Sequence, residues 1–353
     1  PMSEARSVLH VAVPETQLAV AYRADMSQYL WDSLLPIKMV DKPFNLIRGI
    51  NKGNLLRRRE LRAGPNAPRV QFKMDANQTY QTTDFMLEVL SDDRERQIAD
   101  DIVQYDPELI YHLTLAFQTS MEFATINQLL RDTANYGSNY EDLSASGGVR
   151  QYDNLGSLDS DPVVDFRKIV TQGRHKLGGK TYNRVVMSEF TWNKIQENNN
   201  VQKLGRMQNF NAPFMWIAAF EDAVGLPRGA IRLTAAVYND SLEDQTDVFK
   251  TFIGPDIIFA YVEPPDQRFF GAGLSFMFPG GMMGAGLEGI RAPFSLLSFP
   301  DMGHQTVFGG TKLRLAGGIQ QKILNTDAMY LLQNAVNKSD SVSYGSLLLD
   351  PTS

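Results

Sequence analysis

With 34 basic and 40 acidic residues, the 353-residue chain carries a formal charge of −6, and its length favours two domains or one elaborated fold. A hydrophobic content of 43% with 21% charged residues excludes wholesale disorder, and the absence of cysteine excludes disulfides, thiolate nucleophiles and cysteine-bound zinc. The longest apolar runs, Met215 to Phe220 and Ile257 to Val262, fall far short of the roughly 18 residues of a membrane-spanning helix. The expectation is a soluble protein of a reducing compartment. Its acidic balance argues against nucleic-acid binding as the main task. Pro1 fits either a removed initiator methionine or a proteolytic cut.

Residues 1–44 read as an extended arm, punctuated by Pro14, Pro36 and Pro43, with one short helix. Residues 45–104 read as an extended hairpin loop. Val70, Phe72 and Met74 alternate with polar residues, as do Phe85, Leu87 and Val89, which is the period of a strand. At Asp106-Pro107-Glu108 an N-cap, a first-turn proline and an acid at the positive dipole end announce a helix. Leu109, Leu113, Phe117, Met121 and Ala124 follow at spacings of three and four, and the pattern predicts one helix to Tyr136, about 45 Å long. A polar connector completes a segment over 105–161.

Residues 162–262 read as an α/β domain. Helices are expected at 162–176, 189–197 and 213–224, with strands at 184–187, 231–238 and 248–262. Trp192, three residues before Ile195, is expected to be buried on the same helical face. Residues 263–353 hold twelve of the 27 glycines between positions 271 and 318. No long helix is expected there before Thr326 to Val336. The order of elements implies an α+β fold with domains discontinuous along the chain.

Sites of chemistry are scarce. Gly178-Gly179-Lys180-Thr181 ends like a phosphate-binding loop, yet Arg174 stands where the first glycine belongs and the preceding residues read as helix. Gly284, Gly286 and Gly289 have the spacing of a dinucleotide fingerprint, but Pro293 forbids the helix that should follow. Four histidines (His10, His112, His175, His304) are too scattered for a metal box. The acidic cluster Asp153, Asp159, Asp161 and Asp165 lacks the ligand order of a calcium loop. No catalytic, cofactor-binding or metal residues are assigned. One basic run stands out: Arg48, Lys52, Arg57, Arg58, Arg59 and Arg62 place six positive charges in fifteen residues. Its readings are ion pairing between subunits, contact with a polyanion, or an exposed charged loop.

At residues 160–204 the sequence resembles a known family. Ser160-Asp161-Pro162 opens a helix, Gly178-Gly179 follows it, and Asn183-Arg184-Val185-Val186-Met187-Ser188, Trp192, Ile195 and Asn200-Val201 complete the block. This is similar to the axial-domain block of major capsid proteins of tailed bacteriophages, which have the HK97-like fold. The resemblance extends outward to the arm, the hairpin, the long helix and the strand Ile253 to Tyr261. It implies a spine helix in a peripheral domain, an axial domain over 162–262, and a β return to the peripheral domain over 263–353. It further implies a non-enzymatic shell subunit that self-assembles into pentamers and hexamers around double-stranded DNA in the host cytoplasm. Scaffolding protein, portal and a decoration protein are the implied partners, with no membrane. The hairpin arginines Arg57, Arg58, Arg59 and Arg62 become candidate inter-subunit contacts; Leu113, Phe117 and Trp192 are core markers. The alternatives are an encapsulin-like nanocompartment shell and, from a different class, a soluble α/β enzyme.

Overall fold

The computed structural model describes residues 10–11, 28–50, 74–92, 105–145, 147–155, 157–207, 215–241, 248–265, 271–278, 295–300 and 310–337. They build a six-stranded and a five-stranded sheet, two two-stranded ribbons, and helices packed against them. The six-stranded sheet is organised by β14 (Gly310–Ile323). One edge of β14 pairs antiparallel with β5 (Thr83–Asp92). The other edge is shared by β13 (Ser295–Pro300) and β12 (Gly273–Phe278). Outside these lie β1 (His10–Val11) on β13 and β2 (Ile37–Met39), parallel to β12.

Helix α1 (Trp31–Leu34) immediately precedes β2. Helix α2 (Tyr105–Glu122) lays an apolar face on the sheet. Leu113, Phe117 and Met121 are buried, Phe117 to 1% exposure. Its ring stacks on Phe85 of β5 at 5.0 Å and meets Trp31 edge-on at 6.4 Å.

The five-stranded sheet runs β6-β15-β11-β7-β8. Its strands are β6 (Tyr140–Asp142), β7 (Arg184–Ser188), β8 (Ile231–Thr234), β11 (Ile257–Ala260) and β15 (Met329–Gln333). The outer pairs β6/β15 and β7/β8 are parallel, and the inner ones antiparallel. Helices α3 (Pro162–Lys176), α4 (Glu189–Glu197), α5 (Asn199–Met207) and α6 (Met215–Val224) accompany it. An aromatic chain ties α3, α4 and α6 to β11: Phe166 packs on Phe259 at 4.9 Å and Phe220 at 5.1 Å, and Trp192, 3% exposed, meets Phe220 at 5.5 Å. Asp161 caps α3 by accepting the N–H groups of Val163 and Val164, the role its side chain is suited to before Pro162. Gly178 and Gly179, at φ +65° and +93°, end that helix, so the loop-like glycines serve as a C-terminal stop. Two short strands, β9 (Val237–Asn239) and β10 (Phe249–Thr251), pair apart from both sheets.

Several expectations are corrected. The long helix does not run as a regular α-helix to Tyr136. After Glu122 it widens into a π-helical stretch over Phe123–Leu130 and stops. Buried Thr125 bonds back to the Met121 carbonyl at 2.7 Å, an interaction that bends helices, and Tyr136 returns to cap the Leu130 carbonyl through its hydroxyl. Tyr136 thus keeps the apolar period while lying outside the helix. Thr326 to Val336 is a short 3₁₀ turn followed by β15, not a helix. Met329 to Leu332 are buried throughout, and a strand covered on both faces has no period of two to distinguish it. The hairpin is β3 (Phe44–Ile50) with β4 (Met74–Gln81), whereas β5 joins the six-stranded sheet. The α/β sheet also draws β6 and β15 from outside 162–262.

Truncating Phe117 removes the ring on which Trp31 and Phe85 rest. Phe117→Ala is expected to cost about 3–5 kcal/mol in denaturant unfolding of the purified protein followed by tryptophan fluorescence; a loss below about 1 kcal/mol contradicts this packing.

Candidate functional site

The β3–β4 ribbon projects two chemically different faces. Strand alternation puts Asn45, Ile47, Gln78 and Tyr80 on one side and Phe44, Leu46, Thr79 and Gln81 on the other. The first side lies on the outer face of the six-stranded sheet. Tyr80 stacks on Phe276 at 4.5 Å with rings 4° from parallel, and Ile47 and Leu274 close the same cluster. Gln320 accepts the Gln81 N–H at 2.6 Å, which seats the ribbon end on β14. The second side faces outward with Phe44 57% and Leu46 48% exposed. A cleft of about 240 Å³ opens beside it, lined by Lys38, Lys42, Leu46, Tyr80 and Phe276 among others. The sheet thus holds one face of the ribbon and leaves aromatic and aliphatic surface on the other.

The arm that leads into this region is latched by a buried carboxylate. Glu122, the one formally charged side chain between Glu108 and Arg131 in sequence, accepts the Leu30 N–H at 3.0 and 3.1 Å and the Trp31 N–H at 2.7 Å. One turn earlier, Gln118 accepts the Trp31 indole N–H at 2.6 Å, and Thr119 bonds the Tyr29 hydroxyl. Ser275 of β12 donates its hydroxyl to the Leu35 carbonyl. Burial pushes the Glu122 carboxyl up to about 7, against the two backbone N–H groups that favour its charge and with the nearby Asp32 adding to the rise. A solitary acid within an apolar helical stretch was the sequence signal for this latch, and the sequence reading passed over it.

Several of the remaining charges pair among the described residues. Arg150 bridges Glu141 and Asp165; burial raises the Asp165 carboxyl, with Arg150 opposing. The acidic cluster of the connector does not converge. Asp153 accepts the Asn337 N–H, Asp161 caps α3, Asp165 pairs with Arg150, and Asp159 is exposed. Among the described residues no group of three or more His, Asp or Glu is placed to hold a metal ion. Leu113, Phe117 and Trp192 lie in the core, whereas Arg57, Arg58, Arg59 and Arg62 lie outside the described residues. No helix among the described residues is long and apolar enough to cross a membrane.

The latch makes stability depend on pH. A carboxyl raised from 4.5 to about 7 on folding contributes stability that is complete below about 4.5 and is lost as pH rises through 7. The expected loss is about 3 kcal/mol at most. Denaturant unfolding at pH 5 and pH 8 should show this decline, and Glu122→Gln, which keeps an acceptor without a charge, should flatten it. An unchanged pH difference in the variant contradicts the assignment.

No protein-family model and no curated protein matches the sequence. Solved structures do match. A phage-related protein from Bordetella bronchiseptica RB50 superposes with a TM-score of 0.67 at 17% identity, over 93% of this chain and 99% of that one. A chain of the satellite phage P4 procapsid, a structure that includes the size determination protein, matches with a TM-score of 0.51 at 7% identity, over 90% and 98%. A virus-like particle from Pyrococcus furiosus matches with a TM-score of 0.50 at 10% identity, over 91% and 98%. At these identities the likeness is one of fold, and it spans nearly the whole of each chain. The protein has the fold found in phage procapsid and virus-like-particle structures.

Proposed function

We propose that this chain is the major capsid protein of a tailed double-stranded DNA phage, a non-enzymatic subunit whose copies form an icosahedral shell of pentamers and hexamers. The observation that carries this reading is the fold likeness to the Bordetella phage-related protein and the P4 procapsid over nine-tenths of the chain. In the HK97-like scheme, residues 1–44 are the N-terminal arm, the β3–β4 ribbon is the base of the extended loop, α2 is the spine helix, and the five-stranded sheet with its helices is the axial domain. The physical chemistry agrees. A two-stranded ribbon with Phe44 and Leu46 facing outward is left uncovered by the described residues, and identical copies are proposed to supply the burial. A subunit charge of −6 keeps a shell lining from trapping packaged DNA through many phosphate contacts. Scaffolding protein, portal and a decoration protein are the partners such an assembly uses, in the host cytoplasm and then in the virion.

Electron microscopy of the expressed full chain tests the proposal. Closed polyhedral particles are expected, with DNA inside those recovered from infected or induced cells. A discrete small oligomer would sink the shell reading. Closed particles that hold protein cargo and never DNA would favour the nanocompartment instead.

The arginine run provides a second test. Arginine forks pair bidentately with carboxylates, and Arg57, Arg58, Arg59 and Arg62 are proposed to contact acidic surface of a neighbouring copy. Each exposed pair contributes only about 0–1 kcal/mol, but a closed shell repeats it in every subunit. Arg57→Glu with Arg58→Glu should leave circular dichroism unchanged while abolishing particles or making them dissociate at lower salt. Normal particles with altered DNA retention would assign the run to the packaged polymer.

A further inference from the structure

One end of the five-stranded sheet carries two cations with no counter-charge among the described residues. The parallel register of β7 and β8 sets Val186 opposite Arg232, so Arg184, two residues before Val186, shares a sheet face with Arg232 as its diagonal neighbour. Arg184 is half-buried and donates one terminal N–H to the Asn183 carbonyl at 2.8 Å. Its Nε is buried and has no hydrogen-bond partner. Arg232 is exposed, and among the described residues neither guanidinium is ion-paired. Burial and the neighbouring Arg232 both push the Arg184 pKa down.

A charge on the edge strand β8 has an ordinary use, since it blocks pairing with foreign strands. That accounts for Arg232 alone. It does not account for a second guanidinium beside it, because like charges held on one face raise each other's cost.

The opposite end of α3 carries the complement. Leu158 is 96% exposed, the most exposed large apolar side chain of the described residues. Asp159 beside it is exposed, and its carboxylate, unlike those of Asp153, Asp161 and Asp165, has no partner among the described residues. Helix α3 starts three residues later and its fifteen residues extend about 22 Å. At its far end Arg174 bonds Thr181, and Gly173 leaves room for the Tyr182 ring, so the segment entering β7 at Arg184 lies by the helix C-terminus. Within one copy, then, donor and acceptor sit at opposite ends of a rigid element.

We propose that Arg184 and Arg232 together receive the Asp159 carboxylate of a second copy of this chain, in a contact that also buries Leu158. The inference rests on the shell reading and adds to it a specific head-to-tail contact. A heterologous contact of this kind, repeated around an axis, closes into a ring. A second copy fits better than nucleic acid because the complement pairs one carboxylate with one apolar side chain, and two guanidiniums offer no extended track for a phosphate backbone.

A charge swap on the full chain decides the matter, with assembled fraction read by sedimentation and electron microscopy across a salt series. Arg232→Glu is expected to lower the assembled fraction at least tenfold, and Arg232→Gln to lower it less, both with unchanged circular dichroism. Asp159→Arg alone should also impair assembly, and the Arg232→Glu/Asp159→Arg double variant should restore it. Assembly of Arg232→Glu equal to wild type at every salt, or a defect that Asp159→Arg does not rescue, overturns the proposal. So does normal assembly with reduced nucleic-acid content, which would make the pair a phosphate site. If wild type forms small oligomers and no shells, the shell reading falls while the pair is still judged by whether Arg232→Glu loses those oligomers. Monomeric wild type at all concentrations overturns both.

Discussion

The packing of one ring, Phe117, sets much of the remaining geometry. It receives the edge of Trp31 from the arm and the face of Phe85 from β5, so three distant segments share a single contact point. The arm, once fixed there, delivers β2 to β12 in parallel register. Strand β12 in turn offers Leu274 and Phe276 on its outer face, where Tyr80 and Ile47 seat the ribbon. The direction in which Phe44 and Leu46 point is therefore a remote consequence of packing on α2. Close-packed interiors transmit such dependence because their side chains have few alternative places to go.

Buried glutamates recur as stitches between segments. Glu122 holds two backbone N–H groups of the arm. Glu221 holds those of Gly229 and Ile231 at 2.8 and 2.7 Å, and Glu263 accepts from Gly271 and from Lys180. A carboxylate deprived of water is unfavourable unless several donors converge on it. In each case the donors belong to a loop, a strand start or the first turn of a helix that regular bonding leaves open. An acid at such a site both locates the segment and satisfies it, which an apolar residue of equal size cannot do.

Local chemistry was legible where it is written in adjacent residues. Asp161-Pro162 and Gly178-Gly179 mark both ends of α3, and Asp106-Pro107 places the start of α2 within a residue. The end of α2 was not legible, because Tyr136 keeps the apolar period and its hydroxyl caps the helix from outside. The identity of β15 was hidden for a related reason, since burial on both faces erases alternation. Pairing partners were beyond reach: nothing in residues 83–92 states that they join residues 310–319. Of the candidate site, the arginine run was visible as charge, and Glu122 stood in view as a lone acid in an apolar stretch. Arg184 and Arg232 become neighbours only through the register of β7 and β8.

The placement of β14 and β15 also governs when the fold becomes complete. Strand β14 joins β5, β12 and β13, and β15 sits inside the second sheet between β6 and β11. Both sheets are thus incomplete until residues 310–333 have left the ribosome. A nascent chain that has already made its arm, ribbon and α2 has no finished sheet on which to hold them. Contacts between strands more than two hundred residues apart form late, because loop closure must precede their reward. The topology therefore acts as a timer: neither sheet closes, and no surface that rests on both takes its final shape, until the chain carrying them is nearly complete.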